Sequence, residues 1–117
     1  MSRQNLGLLQ GTLDLVVLRA LAFGPRHGYE VARWVRSATA GELKVDDGAL
    51  YTALHRLQRR GLLKSEWGAT EQNRRAKYYA LTSAGRRQLA VETRTWERYA
   101  QAIGRVLSAS AEPVEEV

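Results

Sequence analysis

Apolar residues recur every three or four positions in four segments of the chain, which is the pattern of amphipathic helices. The first segment follows Thr12, a residue type that caps helices, and ends at Gly24-Pro25. The second covers about residues 28–38 and ends before Gly41. Its side chains that are predicted to face inward are Tyr29, Ala32 and Val35. The pattern therefore predicts two short helices before residue 40.

A third amphipathic segment begins at Asp46, whose carboxylate can accept backbone N–H bonds at a helix start, and ends at Gly61. Its apolar stripe consists of Leu50, Ala53, Leu54 and Leu57. The opposite side of the predicted helix carries Gly48, Thr52, His55, Arg56 and Arg59. That outer side is therefore small and polar at its N-terminal end and basic toward its C-terminal end.

The periodicity changes after Gly61. Residues 62–67 and 75–81 show aromatic character and partial alternation with a period of two, on either side of a polar loop over residues 68–74. This pattern predicts an antiparallel hairpin. A helix that ends at a glycine and leads into a hairpin with an arginine-rich loop is typical of a winged helix-turn-helix. The predicted fold class is therefore mainly α with a small two-stranded β wing.

A long final helix is predicted to begin near Ser83, capped by Thr82. Its apolar or small residues repeat at spacings of four and three, as in a coiled-coil seam. The seam consists of Leu89, Thr93, Trp96, Ala100, Ile103 and Leu107. Because nothing earlier in the chain needs so long a stripe, we expect a second copy of the chain to cover it.

The predicted organisation has four parts. They are an N-terminal arm (1–10), a winged-helix domain (11–82), a C-terminal dimerisation helix (83–109) and an acidic disordered tail (110–117). The residues of the final helix predicted at the dimer interface are Leu89, Trp96, Ala100, Ile103 and Leu107. The chain is thus expected to act as a homodimer.

Basic residues are concentrated on the predicted third helix and hairpin. The 117-residue chain has a net charge of +6, and residues 56–77 hold seven basic side chains against two acidic ones. A charge run alone favours a solvated face, but its placement on a winged helix favours double-stranded DNA as the partner. For the contact with base edges we assign Tyr51, Thr52, His55 and Arg56. For the DNA backbone we assign Arg59, Arg74, Arg75 and Lys77. An ordinary surface role for His55 stays open.

Several other classes of function are disfavoured. No cysteine occurs, which excludes disulfides, thiolate catalysis, iron–sulfur clusters and Cys-based zinc sites. Two isolated histidines make a poor metal site, and local capping or packing suits His27 better. No carboxylate pair, Ser/His/Asp set or phosphate-binding glycine loop stands in a plausible arrangement. We therefore expect a protein that is not an enzyme and needs no metal or cofactor.

The longest apolar stretch, Leu13 to Phe23, is interrupted by Asp14 and Arg19 and is too short to span a bilayer. The N-terminus lacks the apolar core and cleavage site of a signal peptide. The absence of cysteine suits a reducing compartment. These features predict a cytoplasmic protein that does not bind membranes.

Several motifs resemble those of the PadR family of bacterial transcriptional regulators. In chain order they are GTLDLVVLRAL, HGYEVARWV, GALYTALHRLQRRGLL, EW and RRAKYYALTSAGRRQL, followed by a helix with a tryptophan. The resemblance covers about residues 8–107. It implies a homodimer with a winged helix in each half, joined by the C-terminal helix with help from Leu13 and Val17 of the first helix. It also implies a repressor that binds a palindromic operator and is released by a small effector or another signal.

The chain departs from the family pattern at Thr52, where proline is common, and at Gln58, where glutamate is more common. Because Thr52 lies on the predicted DNA-facing side, no operator sequence can be carried over from relatives. We single out Trp96 for effector binding, since some relatives use aromatic side chains of the paired C-terminal helices to hold flat hydrophobic ligands. Plain dimer packing is the alternative for Trp96, and its apolar or small neighbours favour it. Trp34 and Trp67 are interpreted as core or interface residues.

A second class of function remains open. Winged helices also serve as protein-interaction modules, with the third helix buried in a partner. Such a module would show weak, salt-sensitive DNA binding without sequence preference. The basic hairpin argues against this alternative.

Overall fold

The secondary structure follows the predicted order. The computed structural model describes residues 11–111, so the predicted N-terminal arm and most of the predicted acidic tail lie outside the described residues. The helices are α1 (Leu13–Ala20), α2 (Gly28–Ala38), α3 (Asp47–Arg59) and α4 (Ser83–Ser108). The strands are β1 (Arg26–His27), β2 (Leu63–Ala69) and β3 (Arg75–Leu81). The winged helix-turn-helix with a long C-terminal helix is confirmed.

The sheet contains one strand more than predicted. Its order is β1-β3-β2, and both neighbouring pairs are antiparallel. In the added pair, Arg26 lies opposite Tyr79 and His27 lies opposite Tyr78. The prediction of a two-stranded wing is therefore incomplete, because a two-residue strand is too short to show any alternation in the sequence.

The core lies between α1, α2, α3 and the inner end of the sheet. Its largest fully buried side chains are Tyr79, Leu18, Leu21, Leu50, Leu54, Leu57, Val17, Val31 and Val35. The predicted stripe of α3 is buried as expected. On α2, Tyr29 was expected to face inward, but it is 67% exposed. Since Gly28, Val31 and Val35 set the buried side of α2, Tyr29 is turned toward solvent.

The junction of α3, β2 and α4 is fixed by backbone geometry. Gly61 has a φ of 77°, and the N–H of Leu62 donates to the carbonyl of Leu57 at 3.0 Å, which ends α3 in a Schellman motif. The hydroxyl of Thr82 donates to the carbonyl of Gly61 at 2.7 Å and accepts from the N–H of Gly85 at 3.0 Å. One threonine therefore links the end of α3 to the beginning of α4.

Gly85 packs directly against the same junction. A Cβ atom at this position would lie 2.1 Å from the carbonyl oxygen of Leu62, and Gly85 is buried. Non-bonded carbon and oxygen atoms do not approach so closely, and a backbone carbonyl cannot rotate away as a side chain can. Glycine is therefore required where α4 crosses the turn between α3 and β2.

The C-terminal part of α4 extends away from the core. Leu89 packs against the core, whereas Trp96 is 38%, Ile103 41% and Leu107 80% exposed. A helix of 26 residues is about 39 Å long, and the longest dimension of the molecule is 61 Å. The second half of α4 therefore presents an apolar stripe that the rest of residues 11–111 leaves uncovered.

We predict that Gly85→Ala lowers the free energy of unfolding by at least about 1–3 kcal/mol, the usual cost of overpacking. The physical reason is the clash of the added methyl group with the Leu62 carbonyl. Denaturant unfolding at one fixed protein concentration measures the change.

Gly104→Ala is the matched control, because a Cβ atom there meets no atom within 4 Å and lies in the same helix. It should leave stability unchanged or raise it by up to about 1 kcal/mol, since alanine is the better helix former. Equal effects of the two substitutions would contradict the close packing at Gly85.

Candidate nucleic-acid interface

The outer side of α3 exposes a polar surface that is basic at its C-terminal end. Thr52, His55 and Arg59 are exposed. The side chain of Asp46 accepts from the N–H of Ala49 at 3.0 Å, so the predicted cap of the helix is present. The beginning of the helix therefore offers short side chains that allow a close approach to another molecule.

Arg56 lies at the edge of this outer surface. Its half-buried guanidinium donates to the carboxylate of Asp14 in α1, forming an ion pair, and Arg60 approaches the other oxygen of Asp14 at 3.9 Å. This ion pair engages the guanidinium that the sequence assigned to base edges, so the contact of Arg56 with bases stays a prediction. Arg56 lies at the border of the apolar stripe, where a carboxylate of another helix comes within reach. Its role in the structure is to hold α3 against α1.

Tyr51 lies across the beginning of α2. A Cβ atom on Gly28 would be 2.8 Å from the ring of Tyr51, so a glycine is needed for this contact as it stands. Tyr51 is nevertheless 47% exposed. Its ring is therefore positioned by α2 while one edge remains free for a partner.

The hairpin of β2 and β3, called the wing from here on, carries the predicted backbone-contacting residues. Arg74 and Arg75 are exposed, and Lys77 is half-buried. The loop before them is closed by the N–H of Thr70, which donates to the carbonyl of Arg74 at 2.8 Å. In the strand register Lys77 lies opposite Trp67, on the same side of the sheet as buried Tyr79.

A cleft of about 450 Å³ separates α3 from the wing. It is lined by His27, Gly28, Tyr51, His55, Trp67, Ala76, Lys77 and Tyr79. Burial, and secondly the nearby Tyr51, raise the pKa of Tyr79, so its phenol stays neutral. The lining residues thus combine aromatic rings and a lysine without any carboxylate, which suits a polyanion such as a DNA strand.

Trp67 is a surface residue rather than a core residue. It is 58% exposed, and the guanidinium carbon of Arg75 lies 4.4 Å from the centroid of its ring system. Of the two interpretations, core or interface, the core one does not hold, because Trp67 lies far along β2 from buried Leu63, where the hairpin has left the core; an interface role stays a prediction. The sequence feature that could have indicated an exposed position for Trp67 was the cluster of basic residues in the facing strand, β3.

A second cavity, of about 620 Å³, lies between α1 and α4. Its lining residues are Gly11, Thr12, Leu15, Gln88, Val91, Glu92, Thr95, Trp96 and Tyr99. Trp96 and Tyr99 are stacked with their ring centroids 6.0 Å apart. Within residues 11–111, Oε2 of Glu92 is buried without a hydrogen-bond partner. Burial, and secondly Asp14, raise the pKa of Glu92, while Arg60 opposes the shift.

The predicted dimer interface needs one correction on α1. Val17 is 0% exposed in the single chain and belongs to the core, so it cannot lie at an interface. The apolar α1 residue that lines the cavity with Trp96 is Leu15. Because α1 has only eight residues and almost all of them are apolar, its sequence does not distinguish the two sides.

His27 takes a local role in the structure. Its N–H donates to Oε1 of Glu30 at 3.1 Å, and its ring meets Tyr78 edge-on at 5.3 Å between centroids. Over residues 11–111, no group of three or more histidine, aspartate or glutamate side chains could hold a metal ion. No helix in the same part of the chain is long and apolar enough to cross a membrane.

The fold and the basic surface of α3 and the wing define a winged-helix DNA-binding protein. The chain matches the transcriptional regulator PadR-like family over residues 17–91, which is more than half of its length. It therefore belongs to the PadR-like family of transcriptional regulators. As a member of that family it is a DNA-binding regulator.

Comparison with individual proteins supports the assignment. A transcriptional regulator from Clostridium thermocellum is 29% identical, with a TM-score of 0.75 and coverage of 82% of this chain and 90% of that one. A PadR family transcription regulator from Clostridium difficile is 27% identical, with a TM-score of 0.72 and coverage of 84% and 100%. An uncharacterised protein of Lysinibacillus sphaericus is 26% identical over 89 residues, which cover 76% of this chain and 82% of that protein.

Proposed function

We propose that the protein is a homodimeric, sequence-specific repressor that binds a palindromic operator. The observation that carries the proposal is the cleft between α3 and the wing, whose lining is aromatic and basic and contains no carboxylate. A polar helix face beside basic strands suits the major groove of DNA and its adjoining phosphates. The proposed site therefore combines base reading and backbone binding in neighbouring elements.

The proposed roles follow from exposure and charge. Tyr51, Thr52 and His55 contact base edges, because they are exposed on α3 and include short polar groups. Phosphates are contacted by Arg59, Arg74, Arg75 and Lys77. Arg56, also predicted to contact base edges, is already paired with Asp14 and is given no DNA contact in this proposal.

The proposed dimer forms along α4. The exposed apolar stripe that includes Trp96, Ile103 and Leu107 is too large to be left to water, and a second copy of the same helix offers the matching surface. Ala100 lies in the same stripe and allows the paired helices to approach closely. Leu13 and Leu89 are half-buried against the core and border this surface.

A small planar hydrophobic effector is proposed to bind beside Trp96. The stacked pair of Trp96 and Tyr99 lines a cavity of about 620 Å³ between α1 and α4, large enough for a drug-sized molecule. Aromatic faces bind planar ligands by stacking. Because α1 is tied to α3 through Asp14 and Arg56, a ligand that shifts α1 would also shift the DNA-contacting helix.

The proposed function is tested by incubating the purified protein with fragmented genomic DNA of its source at about 0.15 M salt, which suppresses purely electrostatic binding. Sequencing the retained fragments should show an enriched motif with two-fold symmetry. No enrichment from folded, dimeric protein would instead support the protein-interaction module.

We predict that Arg74→Ala combined with Arg75→Ala weakens binding to all DNA sequences and flattens its salt dependence. Each lost phosphate contact should reduce the slope of log affinity against log salt by about 1. Arg86→Ala with Arg87→Ala is the matched control, since these adjacent arginines are exposed in the first turns of α4. An unchanged slope in the wing variant would count against the assignment.

We predict that a planar aromatic compound quenches tryptophan fluorescence in the wild type and in Trp34→Phe but much less in Trp96→Phe. Trp34 is the control because it lines a different cavity, beside α2. The same compound should release the enriched DNA. Equal quenching in all three proteins would refute the role of Trp96.

A further inference from the structure

The wing contains an exposed tryptophan that core packing does not explain. Trp67 is 58% exposed, whereas Leu63, at the inner end of the same strand, is buried. Single exposed apolar side chains are common at protein surfaces, so the contacts of this indole, not its exposure, indicate what it does. The ring of Trp67 contacts Arg75, whose guanidinium carbon lies 4.4 Å from the ring centroid. This distance is that of a cation–π contact.

The strand register explains how the two side chains meet. Trp67 lies opposite Lys77, and Ala69 lies opposite Arg75, so Trp67 and Arg75 are diagonal neighbours on one face of the hairpin. The methyl group of Ala69 leaves space above the strand, which Arg75 uses to reach back to the indole. The contact therefore follows from the sequence of the two strands and from their pairing.

On the opposite face of the hairpin, Tyr78 contacts the backbone of β2 next to Trp67. The hydroxyl of Tyr78 donates to the carbonyl of Ala69 at 3.1 Å. A Cβ atom on Gly68 would lie 3.0 Å from the Tyr78 ring, so this ring packs flat against the strand. Trp67 is thus attached to a backbone segment that is held from the other side.

Stacking leaves the donors of the arginine available. A guanidinium that lies on an aromatic ring uses its flat face, while its N–H groups point outward in the plane and can bind a phosphate as a fork. A side chain already held in one orientation loses less conformational freedom on binding. Stacking on Trp67 therefore prepares Arg75 for an anion.

We propose that Trp67 is a positioning residue for DNA binding, which holds Arg75 in the orientation that contacts a phosphate of the strand lying against the wing. The proposal rests on the proposed function and adds a residue that acts through Arg75. The chain offers a contrast in Arg74, which precedes Arg75 and sits in the loop, its N–H donating to the hydroxyl of Thr70 at 3.1 Å.

A double-mutant cycle tests the proposal with two probes, a duplex carrying the enriched sequence and a scrambled duplex of equal composition. Trp67→Leu should weaken binding to both duplexes by roughly two- to tenfold, the range of a cation–π contact. Trp67→Tyr should keep most of the affinity, because a phenol ring still supports stacking. In an Arg75→Gln background, Trp67→Leu should cause no further loss.

Trp67→Leu in an Arg74→Gln background is the matched control. There it should weaken DNA binding by the same factor as in the wild type. An equal loss from Trp67→Leu with and without Arg75 would overturn the proposal, because Trp67 would then act by itself. If Trp67→Leu binds both duplexes as tightly as the wild type does, the positioning role of Trp67 is overturned while the proposed function stands. Failure of the wild type to bind either duplex would overturn the proposed function as well.

Two further measurements separate positioning from folding. In the free protein, the Nε–H resonance of Arg75 should show a ring-current shift that Trp67→Leu abolishes and Trp67→Tyr retains. Arg75→Lys keeps the charge but loses the flat stacking group, so it should weaken binding to a similar degree without changing the salt slope. Wild-type affinity of Arg75→Lys, or an unshifted resonance in the wild type, would refute the proposal.

Discussion

The close packing of Gly85 on the carbonyl of Leu62 is the constraint on which the arrangement of the other elements depends. At this point α3 ends, β2 begins and α4 crosses both, and Thr82 adds hydrogen bonds to each side of the crossing. A side chain at position 85 would push α4 away from the turn. The orientation of the DNA-contacting helix, of the wing and of the long C-terminal helix is therefore set at one place.

The ion pair of Arg56 with Asp14 provides the second connection of α3, this time to α1. Asp14 also approaches Arg60, and its charge contributes to the raised pKa of Glu92 in α4. Charged side chains of three helices therefore meet beside the cavity that contains Trp96. These contacts connect the proposed effector site to α3 by a shorter route than the core does.

Much of this arrangement could be predicted from periodicity and capping residues. Asp46, Thr82 and Gly61 marked the ends of helices correctly, because each acts through bonds to its own sequence neighbours. The sequence did not show the contacts between distant residues. Arg56 meets a carboxylate 42 positions away, and Val17 is buried on a helix with apolar residues on both sides. Neither the two-residue strand β1 nor the stacking of Trp67 leaves a periodic signal.

The outer face of α3 and the wing differ in the kind of side chain that they expose. The N-terminal part of α3 presents short polar groups such as Thr52, while Arg59 and the exposed arginines of the wing carry the charge. Under the proposed function, substitutions at Thr52 would redirect the protein to a new operator without altering how it searches along DNA. Duplicated copies of such a gene could diverge in their targets and keep the same search speed.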